Sequence, residues 1–268
     1  MERDLTSGSV FRNVIYFSLP YFLSYFLQTL YGMADLFIVG QFDGVASTTA
    51  VSIGSQVMHM LTVMIVGLAM GATVSIGQSI GAGDKKRASV FVGNTVILFM
   101  GISLVLSVLL LFFVKPAVAV MSTPAEAVSG TAAYLTICFL GIPFITAYNV
   151  ISSIFRGLGD SKSPMYFIAV ACAVNIILDY LFIGFFHLGA SGAALGTTLS
   201  QACSVLFALI AIKRKQTGLS LSGDCFRPQK KPLGKILNIG IPVALPLQTT
   251  GKRFAVWCYD TGYCLSDN

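Results

Sequence analysis

Charge is what this sequence has least of. Of its 268 residues 10% are charged and 55% are hydrophobic, and the mean hydropathy is +0.81. A soluble domain carries about 25% charged residues, so a soluble globular fold is excluded and a polytopic membrane protein is indicated. A signal-peptide pattern is also lacking. Residues 1–13 are polar, and no short apolar run there ends in a small-residue cleavage site. The six cysteines have neither metal-ligand nor disulfide spacing. Cys138, Cys172 and Cys203 fall inside apolar segments, Cys225 lies in a polar loop, and Cys258 and Cys264 lie near the end. All six read as packing residues. The net charge of +6 resides mainly in the loops between apolar segments, so no nucleic-acid partner is expected.

What is present is a series of apolar runs. Six can be marked, at about 14–40, 45–72, 88–114, 131–155, 165–186 and 190–212, and a seventh begins near Leu233. Each of the six is near or above the ~20 residues that cross a bilayer. The loops between them are asymmetric. Fourteen of the 17 basic residues fall before span one, between spans two and three, between four and five, or after six. The opposite loops hold only Lys115. The positive-inside rule therefore puts the N-terminus in the cytoplasm of a multi-pass protein of the cytoplasmic (inner) membrane.

Two acids lie within these spans, Asp35 in span one and Asp179 in span five. Asp at a helix centre costs roughly 2.5–3.5 kcal/mol on insertion scales. Ionisable residues kept in a membrane usually serve an ion path or a substrate site. Asn175 precedes Asp179 by one helical turn and shares its face. With the topology above, Asp35, Asp179 and Thr197 of span six lie at similar depths, roughly 8–11 Å below the outer boundary at ~1.5 Å per residue. Asn175 lies one turn deeper. Two carboxylates, an amide and a hydroxyl at that level could form an oxygen-rich site for H⁺ or Na⁺. The alternative is that each acid is satisfied by its own local hydrogen bonds.

Pro20 removes a hydrogen bond early in span one, and a bend is expected there, with a proline simply tolerated in a membrane helix as the alternative. The small-residue run Gly189 to Gly196 reads as helix packing. Two repeats appear. Gly81-Ala82-Gly83-Asp84-Lys85-Lys86 resembles Gly157-Leu158-Gly159-Asp160-Ser161-Lys162. In each, Gly can close one helix and Asp can cap the next. The second repeat pairs the stretch from Asn13 to Pro20 with that from Lys235 to Pro242, as in transporters built of parallel repeats. The last stretch, 245–268, has no membrane-length apolar run. It is expected to be non-native sequence ending a truncated or frameshifted product, with a genuine short amphipathic tail as the alternative.

Taken in order, these motifs resemble the N-terminal half of a multidrug and toxic compound extrusion (MATE) transporter over about 10–244. The resemblance rests on Ala34-Asp35 with Val39-Gly40, and on Gly77-Gln78 with Gly81-Ala82-Gly83-Asp84. It also rests on Arg156-Gly157-Leu158-Gly159-Asp160-Ser161-Lys162-Ser163-Pro164, on Asn175 to Asp179, and on Gly192 to Thr197. It implies an all-α membrane fold, with 1–212 as a six-helix N-lobe and 213–234 as a basic cytoplasmic linker. Residues 235–244 would then start helix seven of twelve, and the C-terminal lobe would be missing. The implied activity is export of cationic amphipathic compounds in exchange for Na⁺ or H⁺, with organic cations and the lipid bilayer as partners. No cofactor beyond the coupling ion is implied, and no enzymatic activity. The chain by itself is expected to be inactive.

Carried over residue by residue, the cation site is Asp35, Asn175, Asp179 and Thr197, where Na⁺ could bind, and the helix-one bend is at Pro20. Gln28, Tyr31, Tyr134 and Asn149 are the implied cavity positions, with helix-packing hydrogen bonding as the alternative for each. Three other functions compete. Gly157-Leu158-Gly159-Asp160 reads like the Gly-x-Gly-Asp of intramembrane aspartyl proteases, but those need two facing aspartates within the membrane. Asp160 belongs instead to a basic turn. A lipid-linked oligosaccharide flippase of related architecture would be expected to carry basic residues in its cavity for anionic headgroups, whereas these spans carry acids. A non-transporting membrane scaffold would not need the buried acids.

Overall fold

The computed structural model describes residues 10–214 and 223–244. The stretch 245–268, with its expected non-native tail, lies outside the described residues, as does 215–222 of the expected linker. The described residues are helical, without strands. The elements are α1 (Val10–Phe42), α2 (Val45–Gly81), α3 (Lys85–Phe112), the short α4 (Val114–Val120), α5 (Val128–Gly157), α6 (Lys162–Asp179), a π-helical turn (Tyr180–Phe185) and α7 (Gly189–Arg214). A 3₁₀ turn (Gly223–Phe226) follows. The last helix, α8, occupies 230–244 and so begins ahead of the expected Leu233. Among the described residues six helices are long and apolar enough to cross a membrane, and they coincide with the six expected spans.

The repeated Gly-Asp turns work as their chemistry predicts. Gly83 (φ +74°) and Gly159 (φ +85°) adopt the left-handed backbone that closes α2 and α5. The Asp84 carboxylate accepts from the Arg87 N–H at 2.9 Å and so caps α3. Asp160 accepts from the N–H groups of Lys162 and Ser163 at 3.1 and 3.0 Å, and from the Ser163 hydroxyl at 2.6 Å. That placement at a helix cap is a structural role, unlike that of a protease aspartate facing a second one within the membrane.

Helix α5 is the centre of the bundle and packs against α2, α3 and α7, while α6 sits between α1 and α7. Ile38, Val51, Leu135, Phe139 and Ile183 form one apolar core. Ile76, Phe91, Phe99, Val150 and Ile236 form a second, so α8 belongs to the packed body. The α2–α8 contact is backbone on backbone. A side chain at Gly71 would strike the Ile236 carbonyl, and one at Gly67 would meet the Ala244 backbone. Gly67 and Gly71 are the small-xxx-small spacing that lets membrane helices approach closely. Hydroxyl bonds between helices add to this packing: Ser107 to the Phe139 carbonyl at 2.6 Å, Ser204 to Phe167 at 2.9 Å and Thr73 to Ser153 at 3.1 Å.

Helix α1 runs without interruption through Pro20. On either side of it, Arg156 lies over the Tyr21 ring at 5.2 Å and Lys162 over the Tyr16 ring at 4.7 Å. The fifth span departs from the simple helix expected over 165–186. After Asp179 it widens into a π-turn, in which the Phe186 N–H reaches the Leu181 carbonyl at 3.0 Å.

Candidate cation site

Three helices carry the candidate residues, and the bundle brings them together. Asp35 is on α1, Asn175 and Asp179 on α6, and Thr197 on α7. Asp35 is 4% exposed, and Asn175 and Asp179 are fully buried. The Thr197 hydroxyl donates to Asp35 Oδ2 at 3.1 Å. The side chains of Asp179 and Asn175 also lie against Asp35. The two acids, the amide and the hydroxyl therefore form one cluster.

Its hydrogen bonding is incomplete within the protein. Asp35 Oδ1, both carboxylate oxygens of Asp179, and both Oδ1 and Nδ2 of Asn175 are buried without a protein hydrogen-bond partner. Each such atom costs about 1–3 kcal/mol, and more when charged. Two carboxylates side by side also repel each other. A proton shared between them, or a hard cation held by their oxygens, offsets both costs. The donor set fits such a group: apart from the Asn175 amide nitrogen, its polar side-chain atoms are oxygens. Asp35 and Asp179 would carry the charge, with Asn175 Oδ1 and Thr197 Oγ1 as neutral ligands.

Gly196 is part of the site, although the sequence suggested only packing there. A Cβ at Gly196 would overlap Asp179 Oδ1 and come within 3.6 Å of Asn175 Nδ2. The missing side chain is therefore what lets the Asp179 carboxylate press against α7. The available sequence signal was its position next to Thr197. The π-turn that starts directly after Asp179 was also missed. Such turns often mark functional sites, and apolar residues such as Leu181, Phe182 and Ile183 do not announce one.

The four expected cavity residues separate. Tyr31 is half-buried within electrostatic reach of Asp35 and Tyr148, and Gln28 is half-buried one turn earlier on α1. Tyr134 and Asn149 do not face open space. The Tyr134 ring is 2% exposed and packs against Gly54, which has no side chain to hold it off. Asn149 is 4% exposed and donates to the Ile145 carbonyl of its own helix at 2.8 Å. Both are packing residues of α5 in this arrangement.

Comparison with known proteins agrees with this architecture. The family model MatE matches residues 20–181. The chain belongs to the MATE family. It is 31% identical over 262 residues to the "Probable multidrug resistance protein YpnP" of Bacillus subtilis, covering 97% of this chain and 58% of that protein. The match thus runs past residue 244 into the stretch that does not read as a membrane span. It is 28% identical over 244 residues to the "Multidrug export protein MepA" of Staphylococcus haemolyticus, covering 91% and 54%. Among solved structures, an "Outward-facing conformation of a multidrug resistance MATE family transporter of the MOP superfamily" superposes with a TM-score of 0.83 at 28% identity, covering 90% of this chain and 53% of that one. The chain spans about half the length of the MATE relatives it matches, and its six spans correspond to the N-lobe.

Proposed function

We propose that this lobe is the cation-coupling half of an antiporter that exports cationic amphipathic compounds from the cytoplasm in exchange for Na⁺ or H⁺. The observation that carries the reading is the buried cluster of Asp35, Asp179, Asn175 and Thr197 with its unpaired oxygens. A relative named as a multidrug export protein supports the direction and the substrate class. The protein would lie in the inner membrane, and the basic loops support a cytoplasmic N-terminus.

Coupling follows from linkage. The site is assembled from α1, α6 and α7, so a change in the packing of α1 against the other two changes its affinity for a cation. Proton or Na⁺ binding removes the repulsion between the two acids and favours the assembled arrangement. Release on the other side of the membrane restores that repulsion. An organic cation drawn to the same negative charge competes with the coupling ion, which ties its exit to cation entry.

The test is ethidium export by the full-length transporter, measured with the Na⁺ gradient and the proton gradient collapsed separately and together. The proposal expects export to fail when one of them is removed. Export that survives the loss of both would overturn it.

A further inference from the structure

At the end of the bundle that carries the basic turns, α3 and α8 open onto a shared cleft of about 400 Å³. That is within the roughly 300–1,000 Å³ of small-ligand sites. Its lining includes Lys86, Arg87, Lys231 and Lys235, with Phe91 as its aromatic wall, and among the described residues the one acid there is Asp84. We propose that this cleft binds the phosphate of an anionic membrane lipid.

Neutral groups hold the cations together. Asn94 is fully buried on α3. Its Oδ1 accepts from the Gln229 N–H at 2.7 Å, and its Nδ2 reaches the Cys225 carbonyl at 3.5 Å. A side chain at the preceding Gly93 would collide with that same carbonyl. The chain entering α8 is thus pinned to α3, and Lys231 and Lys235 are brought to Lys86 and Arg87. Arg87 and Lys235 both lie over the Phe91 ring, at 5.9 and 5.8 Å from its centroid. Lys235 also donates to Gln78 at 2.8 Å, a neutral partner. Asp84 uses one oxygen to cap α3. Against four cations the single carboxylate of Asp84 leaves the described lining net positive, and a further anion would offset the remaining repulsion.

Position selects the kind of anion. Lys85 is the first residue of a membrane-spanning helix, so the cleft lies at headgroup level. The N-termini of α3 and α8, each the positive end of a helix dipole, open onto it. Basic pockets between membrane helices on the cytoplasmic side bind anionic headgroups, at ~1 kcal/mol per Lys or Arg. The cleft contains no residue of the cation cluster, and α8 helps to form it. A lipid bound there would tie α8 to α2 and α3.

The test uses the purified 268-residue chain in detergent, with lipid retention read by native mass spectrometry. Phosphatidylglycerol, phosphatidylcholine and inorganic phosphate are the probes. The expected result is selective retention of phosphatidylglycerol, with Arg87→Gln and Lys231→Gln each weakening it about fivefold, the equivalent of ~1 kcal/mol per charge. Lys231→Arg keeps the charge and should retain the lipid, which separates loss of the site from loss of the fold. Equal retention of phosphatidylcholine, or unchanged retention in the double glutamine variant, would overturn the proposal. So would displacement of the lipid by millimolar phosphate, which would make free phosphate the ligand.

Discussion

Gly196 shows how a residue without functional groups can decide a charged site. Its missing side chain leaves room for Asp179 Oδ1 against α7. Gly196→Ala should therefore displace the carboxylate and sharply reduce coupled export while the protein still inserts. Gly101→Ala meets nothing within 4 Å and should leave export near wild type. Thr197→Val removes the 3.1 Å bond to Asp35. Valine also removes a neutral oxygen ligand from the candidate site, so Na⁺ affinity should fall, and Thr197→Ser should restore it. At this scale the four polar members of the cluster were legible, because polar atoms in a bilayer are costly and therefore conspicuous. Gly196 was not, since a glycine in a small-residue run looks the same whether it admits a helix or a carboxylate. For Tyr134 and Asn149 the sequence left a cavity position and a helix-packing role both open. In this arrangement Asn149 donates to a carbonyl of its own helix and the space beside Gly54 accommodates the Tyr134 ring, which is the packing side of that choice.

The elements were legible where length and composition decide them. The six spans and both Asp-capped turns follow from apolar run length and from Gly-Asp chemistry. The π-turn and α4 were not, because each depends on how neighbouring helices pack. Phe42 at the end of α1 stacks edge-on against Tyr180 at 5.9 Å and fits over Gly184. Within α4, Val114 and Val118 are buried in the bundle core. The α2–α8 contact yields a prediction of its own. Gly71→Leu puts a branched side chain where the Ile236 carbonyl and the Gly240 backbone lie. Overpacking of that kind costs about 1–3 kcal/mol, so the detergent-solubilised protein should melt at a lower temperature. Gly101→Leu, which points into open space, should not have that effect.

For the whole molecule, the topology and the site stand on separate evidence. The positive-inside rule leads to the expectation that the turns at 81–85 and 157–162 are cytoplasmic. Cysteines replacing Lys85 and Lys162 should then be labelled only from inside, and Phe42→Cys only from outside. Labelling of position 85 from outside would contradict the orientation. Membership of a two-lobed family was legible because its motifs recur in order on the right spans. How α1, α6 and α7 meet was not, because sequence gives depth along each helix but not the packing between helices. The central claim is that Asp35 and Asp179 form the coupling-cation site. It is tested most directly by gradient-driven ethidium export in proteoliposomes of the full-length transporter carrying Asp35→Asn or Asp179→Asn. Neutralising either acid lowers the cost of insertion, so both variants should reach the membrane in normal amounts. The account predicts that each inserts and that neither couples export to a Na⁺ or H⁺ gradient; wild-type coupled export by both variants would contradict it.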